Sequence, residues 1–195
     1  MTIKASYTLY CTKKTGYSAA AREGADMLAV RITDTRDFMK KLLTQDLFDT
    51  FLFSEAVITT FTTFTIDGTW HPDYYEEQQA DADPSSDGMP KALTWKLIRP
   101  VLFDMIKGRH TPVSFRIVLR LADYNVESLL TSASVSIDAS QIAGLFLNLN
   151  YQNNTVTCTT GTSLRIFTLD KTLDNVWDEM TLRFFRSRQI AYETL

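Results

Sequence analysis

Histidine, cysteine, glycine and proline are all scarce in this 195-residue chain, which has 2 His, 2 Cys, 7 Gly and 5 Pro. With so few histidines and cysteines, it has no HExxH motif, no CxxC motif and little material for a zinc site. Its glycines form no phosphate loop, no Rossmann fingerprint and no GxSxG nucleophile elbow. The sequence therefore predicts no catalytic residue, no metal ligand and no cofactor.

The chain also lacks a large excess of positive or negative charge, and it lacks long apolar runs. The net charge is -3 with 22% charged residues, which gives no overall reason to expect binding to nucleic acid or to an anionic membrane. No apolar run approaches the roughly 20 residues that span a bilayer. Cys11 and Cys158 suggest small buried thiols in a reducing compartment rather than a disulfide. We therefore expect a cytoplasmic protein without membrane contact.

Two segments differ from the rest of the chain. Residues 1–26 have no helical or strand periodicity and are predicted to be a poorly ordered extension, or to precede a translation start at Met27. Residues 69–90 contain acidic residues but no Lys or Arg, which is typical of an exposed loop, and they lack the EF-hand spacing. We expect residues 27–195 to form a single globular domain around this acidic loop.

Alternating apolar residues from Gly144 onward predict a β-hairpin. Asn153 and Asn154 can form its turn, because asparagine tolerates left-handed backbone conformations. The apolar faces of the two strands then coincide. This register predicts the facing pairs Leu147 and Thr160, Leu149 and Cys158, and Tyr151 and Val156.

A third strand and a helix are predicted after this hairpin. A loop at residues 161–163 would keep Leu164 and Ile166 on the same face of the sheet. The helix that follows has one apolar stripe, formed by Leu173, Val176, Trp177, Met180 and Phe184. Asp170 or Thr172 can cap its start. We expect the acidic residues of this helix to lie on its solvated face: Asp174, Asp178 and Glu179.

The remaining elements lie upstream of the hairpin. They are a strand at 28–32, a helix at 34–43, strand residues at 55–66 with a bulge or turn near 62–63, a helix at 93–107, a strand at 113–121 and a short helix at 123–130. Pro100 places the start of the second helix near Leu97 or kinks it at Arg99. Tight turns between strands predict an α+β fold with a mainly antiparallel sheet and about three helices packed on it. The C-terminal amphipathic helix follows a three-stranded meander.

Positive side chains cluster at the end of the second helix and on the strand that follows. The candidate anion-binding residues are Lys107, Arg109, His110, Arg116, Arg120 and Thr162. Against such a site, cations at a helix C-terminus simply offset the negative end of the dipole, where a phosphate would be repelled. Thr162 lies in a Thr-rich segment without the lysine and helix of a phosphate loop, so a β-turn is the simpler interpretation.

Four segments resemble an uncharacterised bacterial family of domains of unknown function. They are TTFTTFTIDG at 59–68, LIRPVLFDMIKGRHTPVSFRIVLRL at 97–121, GLFLNLNY at 144–151 and TCTTGTSLRIFTLDKTLDNVWDEM at 157–180. The resemblance extends from Met27 to the C-terminus. It implies no reaction, cofactor or catalytic residue.

Three classes of function stay open. The leading one is a non-enzymatic cytoplasmic domain that binds a protein partner or assembles with itself, and it depends on the lack of catalytic clusters. The second is a small enzyme or a nucleotide- or anion-binding protein that uses the basic and Thr-rich positions. The third is a nucleic-acid-binding domain that uses Arg116 and Arg120, although the net charge gives it no support.

Overall fold

The computed structural model describes residues 27–71, 92–108, 110–133, 135 and 137–195. In these residues, seven strands form one antiparallel sheet in the order β3-β2-β4-β5-β6-β1-β7. The strands are β1 (Ala29–Ile32), β2 (Phe51–Thr59), β3 (Thr63–Asp67), β4 (Ser114–Leu121), β5 (Ile142–Gln152), β6 (Thr155–Leu164) and β7 (Tyr192–Thr194). The α-helices are α1 (Thr35–Thr44), α2 (Trp95–Ile106), α3 (Asp123–Ala133) and α4 (Thr172–Ser187).

The predicted α+β class and antiparallel sheet are therefore confirmed, with four helices in the described residues where about three were predicted. The predicted turn near 62–63 separates β2 from β3. The predicted N-terminal extension at 1–26 and most of the predicted acidic loop, from residue 72 to 90, lie outside the described residues.

One face of the sheet carries the hydrophobic core. Alternate residues of β4 are almost completely buried, namely Phe115, Ile117 and Leu119. They lie in register with apolar residues of the neighbouring strands β2 and β5. Phe38 of α1, Trp95 of α2 and Trp177 of α4 join the same cluster. Burying these side chains is the main favourable contribution to folding.

The β5–β6 hairpin has the predicted register. Leu147 pairs with Thr160, Leu149 with Cys158 and Tyr151 with Val156. Asn153 and Asn154 occupy the left-handed region, with φ of 52° and 60°. The local rule that asparagine accepts positive φ was therefore sufficient to predict this turn.

The predicted third strand of the meander is wrong. β6 continues through residues 161–163 to Leu164, and residues 165–171 contain no strand. A returning strand would need the second edge of β6, but β1 already pairs there, with Val30 opposite Cys158. The segment after β6 therefore leaves the sheet, and Phe167 and Leu169 in it are exposed.

Helix α4 is rotated relative to its predicted apolar stripe. Its buried residues are Leu173, Trp177, Thr181 and Phe185, whereas Val176, Met180 and Phe184 are half-buried. The Phe184 ring contacts the rings of Phe48 and Phe51, at centroid distances of 5.3 and 5.7 Å. Because α4 has aromatic neighbours beside it as well as the sheet beneath it, its apolar surface is wider than one stripe.

Two acidic residues of α4 are not solvated as predicted. Asp174 accepts a hydrogen bond from the Thr162 hydroxyl, and Asp178 accepts one from the Thr160 hydroxyl. The backbone N–H of Leu28 also donates to Asp178, at 3.2 Å. These bonds link the helix to β6 and β1. Glu179 is exposed, as predicted, and forms an ion pair with Arg183 at 2.9 Å.

Helix α2 begins at Trp95, between the two predicted starts at 93 and near Leu97, and contains Pro100 in its second turn. The Trp95 indole is fully buried and donates to the backbone oxygen of Leu42 at 3.1 Å. Helix propensity alone would favour a start closer to Pro100. The Trp95 hydrogen bond instead holds the turn before the proline in the helix. It also fixes α2 beside α1.

Candidate functional site in the cleft between the first two helices

A cleft of about 600 Å³ opens between α1 and the C-terminal end of α2. We refer to it as the α1–α2 cleft. Residues 107, 108 and 110–112 and the β5–β6 turn complete its walls. The side chains that carry its chemistry are Arg36, Met39, Lys40, Leu43, Phe103, Ile106, Lys107, His110 and Tyr151.

Helix α1 forms the first wall. Its start is capped by Asp34, whose carboxylate accepts a hydrogen bond from the N–H of Asp37 at 2.9 Å. Phe38 and Leu42 point into the core. The helical period then places Arg36 and Lys40 one turn apart beside the cleft.

The charges of Arg36 and Lys40 have no ion-pair partner within the described part of the chain. Like charges at i and i+4 destabilise a helix by a few tenths of a kcal/mol, roughly 0.2–0.5. Arg36 also lies in the first turn, where the helix dipole disfavours a cation. By contrast, Lys41 on the same helix is paired with Asp37 at 2.7 Å. The helix therefore tolerates two unfavourable charges at the cleft.

The second wall contains Lys107 and His110. The Lys107 ammonium forms an ion pair with Asp104 at 2.6 Å and lies 5.3 Å from the centre of the Phe103 ring. The His110 side chain is exposed. No carboxylate lines the cleft among the described residues. Positive side chains and one imidazole thus surround an apolar floor.

The β5–β6 turn closes one end of the cleft. The Tyr151 hydroxyl donates to the side chain of Asn154 at 2.9 Å, and the Thr35 hydroxyl donates to the Asn154 carbonyl at 3.3 Å. The Tyr151 ring stacks on Phe115, with centroids 5.0 Å apart. These contacts fix the turn against α1, so this end of the cleft is preformed.

The five predicted anion-binding residues that the structure describes do not form one site. Lys107 and His110 line the cleft, while Arg109 lies outside the described residues. Thr162 faces α4 and donates to Asp174. Its hydroxyl therefore serves the packing of α4 on the sheet.

Arg116 and Arg120 lie on the face of the sheet opposite the core. The Arg116 guanidinium is 2.8 Å from the Glu55 carboxylate, and that of Arg120 is 2.8 Å from the Asp123 carboxylate. These pairs neutralise much of the positive charge that the sequence suggested on this strand.

Arg36 and Lys40 were missed by the sequence reasoning. An arginine in the first turn and a second cation four residues later break two rules of helix stability, and that conflict was the available signal. Their position opposite Lys107 could not be read from the sequence, because it depends on how α1 and α2 pack together.

Cys158 is 1% exposed in the core, and burial raises the pKa of its thiol. A buried thiol with a raised pKa is a poor nucleophile. In the described residues, no group of three or more His, Cys, Asp or Glu side chains could hold a metal ion. A helix long and apolar enough to cross a membrane is likewise absent from that part of the chain.

Comparison with known proteins identifies a family. The model of a family of unknown function, DUF5721, matches residues 41–193. No curated protein and no solved structure matches the chain. The matched region contains Leu43, Phe103, Lys107, His110 and Tyr151 of the cleft, and it begins just after Lys40, so Arg36 and Lys40 lie outside it. The chain therefore belongs to this family of unknown function, as the resemblance in its sequence suggested.

Proposed function

We propose that the protein is a non-enzymatic cytoplasmic binding domain whose α1–α2 cleft takes an acidic segment of a partner protein. The observation that carries this proposal is the pair of cations Arg36 and Lys40, which have no ion-pair partner among the described residues and lie beside an apolar cleft that no described carboxylate lines. The chain as a whole has a net charge of -3. A positive cleft on an acidic protein is therefore a local feature and does not follow from overall composition.

The apolar floor indicates what the acidic segment must also contain. Met39, Leu43, Phe103 and Ile106 line a volume of about 600 Å³. That volume lies within the range of about 300–1,000 Å³ typical of ligand sites. A segment with one or two large apolar side chains between acidic residues would fill the floor and place carboxylates near Arg36, Lys40 and Lys107. Such anchors usually dominate the energy of an interface.

The alternative functions have weaker support. Nucleic-acid binding through Arg116 and Arg120 would have to displace Glu55 and Asp123 from their ion pairs. A small enzyme would need a general base or nucleophile. The cleft offers His110, Lys40, Lys107 and Tyr151, but Lys107 is paired with Asp104 and the Tyr151 hydroxyl donates to Asn154. A buried free thiol, Cys158, supports a reducing compartment such as the cytoplasm.

The test is binding of a short fluorescent peptide with two glutamates on each side of a Leu-Phe pair, followed by anisotropy. Charged hydrogen bonds contribute about 1.5–3 kcal/mol each, so the double variant Arg36→Gln/Lys40→Gln should bind at least about tenfold more weakly. Added salt should weaken binding to the wild-type protein. A peptide with Gln in place of every Glu should lose most of its affinity.

The matched control is Lys96→Gln/Arg186→Gln, which removes the same charge from two exposed positions outside the cleft. It should bind the peptide like the wild-type protein. Equal weakening by both double variants would show a non-specific charge effect and would overturn the proposal. Unchanged binding of a peptide with glycines in place of Leu-Phe would also overturn the proposal. Tighter binding of single-stranded DNA than of the acidic peptide would overturn it too.

A further inference from the structure

The two edge strands of the described sheet differ in how well they are protected from pairing with another chain. β7, at one edge, has three residues and therefore offers little backbone for pairing. β3, at the other edge, has five residues and pairs only with β2. It contains no lysine or proline, its pairing with β2 has no bulge, and its one charged residue, Asp67, lies at its end. β3 thus lacks most of the features that keep an edge strand from pairing.

The backbone of β3 points away from the sheet at alternate residues. Thr59 of β2 faces β4, because its carbonyl accepts a hydrogen bond from the N–H of Val113 at 2.8 Å. Backbone groups alternate sides along a strand, so the next residue, Ile58, faces β3 and bonds with its partner Phe64. The N–H and carbonyl of Thr65 therefore point outward. No turn or loop hydrogen bond reaches them from the described residues.

Apolar side chains lie exposed beside this edge. Phe61, in the turn before β3, is 93% exposed, and its ring packs edge-to-face on the ring of Phe64 at a centroid distance of 6.0 Å. Phe64 and Ile66 are only half-buried, although their partners in β2, Ile58 and Ala56, are fully buried. Exposed apolar side chains next to an open strand edge are typical of an interaction surface.

The sequence of β3 is complementary to itself when two copies run antiparallel about Thr65. Thr65 then faces Thr65 of the other copy, Phe64 faces Ile66, and Thr63 faces Asp67. Thr–Thr pairs and pairs of an aromatic with a β-branched residue are favourable between strands. The outward backbone groups of the two copies also meet in this register. A register centred on Asp67 would instead place two carboxylates opposite each other, which is unfavourable.

We propose that two copies of the chain form a homodimer by antiparallel pairing of β3, centred on Thr65, which joins their sheets into one. Residues 61–67 do not line the α1–α2 cleft, so this surface is independent of the proposed function. A strand of five residues offers less area than a standard protein interface. The dissociation constant should therefore be roughly micromolar rather than nanomolar.

The test is sedimentation equilibrium of the full chain from micromolar to millimolar concentration, where we expect a monomer–dimer equilibrium. Thr65→Lys places like charges opposite each other at the centre of the pairing and should weaken dimerisation at least about fivefold. Thr65→Glu should weaken it in the same way. An equimolar mixture of these two variants should form a heterodimer, because opposite charges then face each other. The control Thr131→Lys, at an exposed threonine of α3, should dimerise like the wild-type protein.

Three outcomes of this experiment would overturn the proposal. The first is a wild-type chain that stays monomeric up to millimolar concentration. The second is equal dimerisation of the wild-type protein and Thr65→Lys, which would place the interface elsewhere. The third is a mixture of the Lys and Glu variants that stays monomeric, because residue 65 would then not face itself.

Hydrogen exchange of the wild-type chain gives a second measurement that needs no substitution. The Thr65 N–H should exchange quickly when the chain is dilute and become protected as the dimer forms, because it then bonds with the other copy. Exchange of this amide at the same rate at all concentrations would overturn the proposal. Thr65 is exposed, so both Thr65 variants should keep a melting temperature close to that of the wild-type protein.

Discussion

At the residue scale, Trp177 is the side chain on which packing depends most clearly. It is 1% exposed, and its indole N–H donates to the backbone oxygen of Phe146 at 2.9 Å. Trp177→Ala should lower the free energy of unfolding by about 3–5 kcal/mol through cavity formation. Trp177→Phe fills most of the space and should cost less, about 1–2 kcal/mol for the lost hydrogen bond. Urea denaturation monitored by circular dichroism measures both, and equal losses would contradict the packing account.

Arg116, in contrast to Trp177, is a side chain whose removal should hardly change stability. Its side chain is 53% exposed, and its ion pair with Glu55 lies in solvent. Exposed pairs of this kind contribute little, so Arg116→Ala should change the free energy of unfolding by less than about 0.5 kcal/mol. Glu55→Gln, which breaks the same pair from the other side, serves as the control. If Arg116→Ala lowered the free energy of unfolding by more than about 2 kcal/mol, the face of the sheet that carries Arg116 would have to be covered.

Burial of single residues was predictable where the strand period was clean. Phe115 and Leu149 are buried as the alternation predicts. Thr181 was not predicted to be buried, since a hydroxyl in the core contradicts composition rules, and only the packing of α4 shows its position. Asp174 and Asp178 were misplaced for a related reason. An acidic side chain on a helix looks solvated until its threonine partners on β6 are known.

At the scale of elements, Asp170 accepts hydrogen bonds from Thr172, the first residue of α4. Hydrogen bonds from the Thr172 hydroxyl and from the Thr172 N–H lower the pKa of the Asp170 carboxyl below its usual value of 3.8. A lowered pKa in the folded state means that the carboxylate stabilises the fold above the unfolded pKa. That contribution is lost as the pH falls through the folded pKa.

The corresponding experiment compares the melting temperatures of the wild-type protein and Asp170→Ala from neutral to acidic pH. The wild-type protein should melt higher at pH 7, and the difference should shrink below the usual Asp pKa of 3.8 as the carboxylate is protonated. A difference that stays constant down to about pH 2 would show that the charge of Asp170 does not contribute.

The sequence predicted elements well where one local rule decided them, and less well where neighbours decided them. The hairpin turn needed only asparagine chemistry, and its register needed only alternation. The third strand failed because β1, more than 120 residues away along the chain, already occupies the edge of β6. Such a pairing between distant strands leaves no local pattern.

At the scale of the whole molecule, most of the core lies on one face of the antiparallel sheet, and the helices on that face form the cleft between them. Helices α1 and α2 pack side by side in the core, and the Trp95 indole of α2 donates to the backbone oxygen of Leu42 in α1. This packing brings Lys107 and His110 opposite Arg36 and Lys40. The sequence therefore predicted Lys107 and His110 as a basic cluster. It could not predict that Arg36 and Lys40 lie opposite them, because that depends on how α1 and α2 pack together.

The most direct measurement of the proposed function is a ¹⁵N–¹H NMR titration of the full chain with the acidic peptide. If the peptide occupies the α1–α2 cleft, residues 35–44, 103–108 and 110–112 and the β5–β6 turn should show chemical-shift changes, and these changes should be lost in Arg36→Gln/Lys40→Gln. Changes confined to the outer face of the sheet, around Arg31 and Arg116, would contradict it. An unperturbed spectrum at millimolar peptide would contradict it equally.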